Sequence, residues 1–388
     1  MKKYFSVGIL LVFFVFCFWL PEAGAQKVVK IGGLMTTSGV AAAHLGQTTL
    51  KGAMLAVEEI NARGGITVAG EKYKINLINY DDKCVAKDAV TATERLLRQD
   101  NVKMILGAIC SHCALAAIEI TEKEKIPVVV PIAASVKITS SGFKYVFRTW
   151  SHAAIQAETI CRFATQDLKK KTAAYIGRND AWSRSTSEEF KKRLEKMGGK
   201  VLVNDFYEHG TTDFYPQLTK AKNANPDFIY FCSLTEDGSL LIKQAKELGI
   251  QAQLMSADDV GGEQSARVAG AAMEGVYLYW TEGPKKQKAL DYEERFKKKY
   301  GLASLAMDKG GYDSLSILAD ALERAGSITD TDKIREALKK TDFEGVRQRF
   351  TFGENGQAKI DMWIVQMEKG KPKFVKPIPI YDNPSEPL

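Results

Sequence analysis

From Gln26 onward the chain alternates between short apolar runs and amphipathic stretches, and this rhythm restricts the fold more than any single motif. Val28-Val-Lys-Ile-Gly-Gly-Leu34 reads as a buried strand. After the polar turn Thr36-Thr-Ser-Gly39, a helix is predicted to about Asn61. Leu50, Ala53, Met54, Val57 and Ile60 share one face of it, and Gly64-Gly65 stops it. Tyr73–Tyr80 alternates as a second strand ending in Asp81-Asp82. A helix carrying Ala89, Leu96 and Leu97 leads to a third strand at Met104-Ile-Leu106, and Ile126–Pro131 makes a fourth. Strand followed by helix, repeated, argues for a parallel sheet covered on both faces. Ligands of such sheets sit beyond the carboxyl ends of the strands, which sets Thr36–Ser38, Asp81–Cys84, Cys110–Cys113 and Ile132–Ser135 along one rim.

Around Val146-Phe-Arg-Thr-Trp150 the pattern begins again. A helix near His152–Leu168 precedes the strand Thr172–Gly177, the turn Arg178-Asn-Asp-Ala-Trp182 and a helix bearing Phe190, Leu194 and Met197. Val201–Val203, Asp227–Cys232 and Gln253–Met255 continue the alternation, and Val276–Trp280 reads as a crossing between lobes. Helices are expected near Gln287–Tyr300, Gly310–Ala325 and Asp330–Lys340, then a β segment at Phe350–Met367 turning at Gly353–Gly356. The fold class is therefore α/β, with two doubly wound parallel-sheet lobes joined by a three-strand hinge. We divide the chain into residues 26–147 with 281–349 as one lobe and 148–280 with 350–388 as the other. Two lobes on a hinge imply a cleft that closes on something.

Residues 1–25 start with Met1-Lys-Lys, run apolar from Val7 to Leu20 and end Ala23-Gly-Ala25. That is the pattern of a cleaved secretory signal peptide, shorter than a spanning helix needs. The remaining length, about 360 residues, suits two domains. The net charge of +7 comes from lysines interspersed with acids, so no nucleic-acid partner is expected.

Gly107-Ala-Ile-Cys-Ser-His-Cys113 joins the third strand to an apolar helix. Ser111 is its expected N-cap, and helix starts hold anions. Three chemistries fit the turn: an anion site, a thiol redox centre at Cys110 and Cys113, or a metal site including His112. No second ligand pair supports a metal, and no tryptophan-containing approach supports redox chemistry. Cys84, on the neighbouring turn, is within reach of Cys110. No Walker loop, Gly-x-Gly-x-x-Gly after the first strand, His-Glu-x-x-His or Gly-x-Ser-x-Gly occurs. We expect no catalytic residues, no metal and no cofactor.

Tyr80-Asp-Asp-Lys-Cys84, Ile60-Asn-Ala-Arg-Gly-Gly-Ile66, Gly107-Ala-Ile-Cys-Ser111, Pro131-Ile-Ala-Ala134 and Thr351-Phe-Gly-Glu-Asn-Gly356 together resemble the leucine/isoleucine/valine-binding proteins, in order and spacing. Those are type I periplasmic binding proteins of ABC importers. The resemblance implies a Cys84–Cys110 disulfide, with Cys113, Cys161 and Cys232 free. It implies that Ser111 meets a ligand carboxylate, helped by Ala133, Ala134 and Ser135. Trp182 matches a second-lobe tyrosine, and Asp258, with Asp259 as the alternative, matches the glutamate that pairs with the ligand ammonium. His44 and Leu234 fall where relatives carry tyrosines. The implied protein is periplasmic and monomeric. It would deliver a branched-chain or other apolar amino acid to a membrane permease, or an aromatic or other carboxylic acid on the same fold.

Overall fold

The computed structural model describes residues 26–39 and 42–380, so the expected signal segment 1–25 lies outside it. The first sheet has six strands: β1 (Val28–Leu34), β2 (Ile66–Val68), β3 (Glu71–Tyr80), β4 (Ile105–Gly107), β5 (Val128–Val130) and β6 (Val146–Arg148). Their order is β2-β3-β1-β4-β5-β6, parallel except for the edge hairpin β2–β3. Helices α1 (Ala43–Ala62), α2 (Ala86–Arg98), α3 (Ser111–Lys123) and the single turn α4 (Lys137–Ser140) join these strands. The pattern expected to begin again around Val146–Trp150 does so directly after β6, with the helix that starts at Ala153.

The second sheet contains β7 (Thr172–Arg178), β8 (Lys200–Tyr207), β9 (Phe228–Cys232), β10 (Gln253–Ser256) and β11 (Tyr277–Trp280). They are linked by α6 (Ala181–Lys196), α7 (Tyr215–Ala224), α8 (Thr235–Glu247) and α9 (Glu263–Ala269), after the entry helix α5 (Ala153–Arg162). The helix expected near His152–Leu168 runs from Ala153 to Asp167, its last five residues, Phe163–Asp167, widening into a π-helical turn. Every residue of β9 is buried. A Phe, Ile or Tyr side chain taken fully from water contributes roughly 1.5–3 kcal/mol, so this Phe-Ile-Tyr-Phe run anchors the centre of its sheet.

Three helices follow: α10 (Gln287–Tyr300), α11 (Ala306–Ala325) and α12 (Thr331–Lys339). After them come the small hairpin β12 (Asp342–Glu344) with β13 (Arg349–Thr351), and then β14 (Met362–Glu368) and β15 (Lys371–Ile378). Strands β14 and β15 extend the second sheet, antiparallel, in the order β15-β14-β11-β10-β9-β7-β8. The expected single β segment at 350–367 is thus two strands in different sheets. Val276–Trp280, expected as a crossing, is the interior strand β11, and the chain crosses just after it.

Helix α11 lies against α1, and glycines let their backbones meet. A Cβ on Gly52 would strike the Asp308 carbonyl, and one on Gly311 the Thr49 carbonyl. The chain passes between the two halves three times: Arg148 to Ala153, Trp280 to Gln287, and Thr351 to Met362.

Candidate functional site

A cavity of about 220 Å³ opens between the halves. For scale, an apolar cavity of roughly 150 Å³ accepts benzene, so a molecule somewhat larger fits. Ser111, Ala133 and Ala134 form one side of the wall; Trp182, Leu234, Asp258 and Asp259 form the other.

The first side is built on the end of β4. Helix α3 begins at Ser111 with Cys110, extended at φ −85° and ψ 134°, as its N-cap; Ser111, expected to be the cap, is one residue further in. The first intrahelical bond runs from Ala114 N–H to the Cys110 carbonyl, so the amides before it point out of the helix start. The Ser111 Oγ accepts hydrogen bonds from the Ala134 N–H (3.2 Å) and the Ser135 N–H (3.1 Å). With both acceptor positions used, its own proton is left to donate. Buried Arg148 fixes the same segment from behind, donating Nη1 to the carbonyls of Ala133 (3.2 Å) and Ser135 (2.7 Å). A hydroxyl proton and a helix start aimed the same way suit an anion.

Cys84 and Cys110 are joined, with Cα atoms 5.6 Å apart. Asp82 Oδ1 accepts the Cys84 N–H at 2.9 Å and holds that turn in place. Cys113 is a buried free thiol, and burial together with the Asp82 carboxylate pushes its pKa far above the ordinary range. A thiol kept protonated is no nucleophile, so the redox reading of Cys110 and Cys113 fails on both members. Among the described residues no three His, Cys, Asp or Glu side chains converge as a metal site needs.

Across the cleft, Asp180 caps α6 by accepting the Ser183 N–H at 2.8 Å, so Trp182 falls in the helix's first turn. The Trp182 indole N–H donates to Gln156 Oε1 at 2.8 Å, which fixes the ring against the cavity. Leu234 is the N-cap of α8. Asp258 and Asp259 open a short 3-10 turn after β10 without capping it through their side chains. The Thr281 hydroxyl donates to Asp258 Oδ2 at 2.7 Å. Burial pushes the Asp258 carboxyl up to about 6, opposed by Thr281 and by the charge of Arg347. Asp259 is raised well above its ordinary value by burial and by the charge of Asp258. A cation entering the cleft beside these two carboxyls would favour their ionised form.

Two expected residues fall elsewhere. His44 is exposed near the start of α1 and outside the cavity wall, because its neighbour Leu45, about 100° further round the helix, takes the inward face. Ser135 is buried outside the wall and serves through its backbone N–H to Ser111. The wall also includes residues the sequence did not single out: Trp150, Gln156, Arg178 and Tyr279. Arg178 is held by Asp237 Oδ2, at 2.9 Å from Nε and 2.6 Å from Nη2. His112 does line the cavity. Its Nε2 lies 2.8 Å from the Cys84 carbonyl, which can only accept, so that nitrogen carries the proton.

A family model for periplasmic binding proteins matches residues 28–372. The chain is 29% identical over 373 residues to the leucine-, isoleucine-, valine-, threonine-, and alanine-binding protein of Pseudomonas aeruginosa, a match covering 90% of this chain and 98% of that one. Among solved structures, a leucine binding protein from Thermotoga maritima aligns with a TM-score of 0.82 at 28% identity, covering 92% of this chain and 100% of that one. An ABC transporter solute binding protein from Rhodopseudomonas palustris, in complex with 3,4-dihydroxy benzoic acid, shares the fold. Its TM-score is 0.82 at 23% identity, covering 93% of this chain and 99% of that one.

Proposed function

The chain belongs to the periplasmic binding protein family, and from that premise we propose that its cleft captures a branched-chain or other apolar amino acid. It is a non-catalytic periplasmic solute-binding protein of the type I fold, related to the Leu/Ile/Val-binding proteins, that supplies an ABC importer with a small carboxylate-bearing ligand.

One observation carries the finer reading. The cavity has a hydrogen-bond donor and a helix start on one wall, a carboxylate pair on the other, and apolar surface from Leu45, Ile109, Ile132, Leu234 and the two tryptophans between them. A zwitterion with an apolar side chain matches all three. In this reading Ser111 and the amides of the α3 start take the carboxylate, and Asp258 with Asp259 takes the ammonium. Ala133, Ala134, Leu234 and Trp182 hold the side chain. The protein acts as a monomer. Residues 26–147 with 281–349 close against 148–280 with 350–388 about the three passages, and the closed form meets the permease.

Calorimetric titration with leucine, isoleucine and valine tests this, and its pH dependence separates it from a second reading. The aromatic walls, Trp150, Trp182 and Tyr279, would also suit an aromatic carboxylic acid without an amine. An ammonium group requires the Asp258 carboxylate ionised. Amino-acid affinity should therefore level off about a pH unit above 6 and fall as pH drops through about 6, by at most about tenfold per pH unit per proton taken up. An amine-free anion is repelled by ionised Asp258, so its affinity should rise as pH falls over the same interval. Benzoate binding that strengthens in acid, with no heat from the three amino acids, would reject the amino-acid reading.

Ser111→Ala removes one charge-assisted hydrogen bond and strands the Ala134 and Ser135 amides. It should weaken binding by about 2 kcal/mol, or about thirtyfold. Affinity within twofold of the parent would show that the anion is held elsewhere.

A further inference from the structure

Arg347 lies in the turn between β12 and β13, at the foot of the third passage, with its side chain fully buried. Asp313 of α11 holds its backbone there, accepting the N–H groups of Val346 (2.7 Å) and Arg347 (3.1 Å). The guanidinium reaches both other passages. Its carbon sits 4.1 Å from the ring centre of Trp150, on the first passage and in the cavity wall. Its Nη2 donates to the Thr281 carbonyl at 3.1 Å, on the second passage, and the Thr281 hydroxyl holds Asp258. Nε stands 3.4 Å from Glu282 Oε1, while Glu282 Oε2 is taken by buried Lys309 at 2.7 Å, which in turn meets Glu293 at 2.9 Å.

From this geometry, and resting on the reading of the cleft given above, we infer that Arg347 is a positioning residue for ligand recognition. It braces the Trp150 ring against the ligand's side chain and, through Thr281, sets the Asp258 carboxylate facing the ammonium. A guanidinium suits this task because its plane can stack on an indole while its edge donates to a carbonyl, which an ammonium cannot do at once. Removing a buried cation without its partners leaves charge uncompensated, but here Glu282 keeps Lys309, and Glu293, which shares that lysine, keeps Lys285 at 2.7 Å. The charge of Arg347 also opposes the burial that raises Asp258. The other charged groups bearing on that carboxyl are Glu282, beside Thr281, and Asp259; Asp313, which feels Arg347 and Glu282 in turn, is itself raised to about 7 by burial.

The test is leucine titration of the full periplasmic chain from pH 5 to 8, for the parent, Arg347→Met and Arg347→Lys. Arg347→Met should lose about tenfold or more in affinity and move the acid limb upward by about one pH unit. Arg347→Lys should return the limb toward its parental position while leaving most of the affinity loss, since lysine restores the charge but not the stacked plane. An unchanged limb in Arg347→Met, or full recovery of affinity in Arg347→Lys, overturns the assignment. Should Arg347→Met fail to fold, Thr281→Val cuts the same link without touching the charge cluster. It must then shift the acid limb, and no shift overturns the inference.

If the parent itself ignores leucine, the ligand reading is the part that fails. Carbon-13 titration of the Asp258 carboxyl in the ligand-free protein, identified by its loss in Asp258→Asn, then decides about Arg347 alone: an upward shift in Arg347→Met supports it, and none overturns it.

Discussion

Asp258→Asn is expected to weaken amino-acid binding by about 3 kcal/mol or more, beyond a hundredfold, while raising the melting temperature of the ligand-free protein. Truncating one partner of a desolvated charge pair costs about 2–5 kcal/mol, because the ligand ammonium then enters the cleft without a counter-charge. Opposite signs for binding and stability follow from the same burial. A carboxyl whose pKa is raised from 3.8 to about 6 in the folded chain binds its proton more tightly there than in the unfolded chain. Its contribution is favourable at low pH and turns into a cost as pH rises through that interval, on the order of 3 kcal/mol at neutral pH. Asparagine keeps a hydrogen-bond acceptor for Thr281 and removes that cost, and it also relieves the raised carboxyl of Asp259. Calorimetry and thermal melts of Asp258→Asn and Asp259→Asn read the two effects separately. If Asp259→Asn loses binding and Asp258→Asn does not, the ammonium partner is Asp259. If neither variant loses binding, the ligand has no ammonium in this cleft.

Removing the Cys84–Cys110 bridge, by Cys84→Ala with Cys110→Ala, should cost about 3.5 kcal/mol of stability through the entropy of its loop in the unfolded chain, for a sequence separation of 26. A second consequence follows from position. Cys110 is the N-cap of α3 and directly precedes Ser111, while Cys84 lies in the turn that follows β3, just after Asp81-Asp82. The bridge ties two neighbouring turns on the cleft rim. Its loss frees the helix start that presents the Ser111 hydroxyl, so ligand affinity should fall along with stability. Denaturant unfolding of the oxidised parent and the double variant measures the first effect, and titration measures the second. A double variant with an unchanged midpoint would mean the bridge constrains little in the unfolded chain.

The alternating core and several cleft residues were legible because local chemistry marks them. A strand of buried aliphatics, a turn of small residues and a helix of apolar period pointed to Ser111, whereas Asp258 was reached only through the resemblance to the leucine/isoleucine/valine-binding proteins. Edge strands carried no such mark. Strand β15, Lys-Pro-Lys-Phe-Val-Lys-Pro-Ile, is mostly exposed, and its lysines and prolines belong to a strand that must refuse further partners, so it lacks the alternation by which strands are read. The short strands β2 and β12, three residues each, offer too little periodicity to detect. The cleft residues that escaped notice share a different cause. Trp150, Gln156 and Tyr279 are buried in a crossing, a helix and an interior strand, where they look like ordinary packing until the two lobes meet around the cleft. His44 was misplaced for want of one fact, the rotation at which α1 meets the sheet.

The contact of α1 with α11 has a consequence for the order in which this molecule can assemble. The two helices touch through glycines, yet about 260 residues separate them along the chain. The first half therefore cannot complete its core while the second half is still being synthesised; α1 waits for a helix that arrives near the end. Pairing across so long an interval slows folding, since loop closure comes before the reward of contact. For a protein whose work lies in the periplasm, that delay is useful. A chain unable to finish either half early stays threadable until nearly all of it has been made.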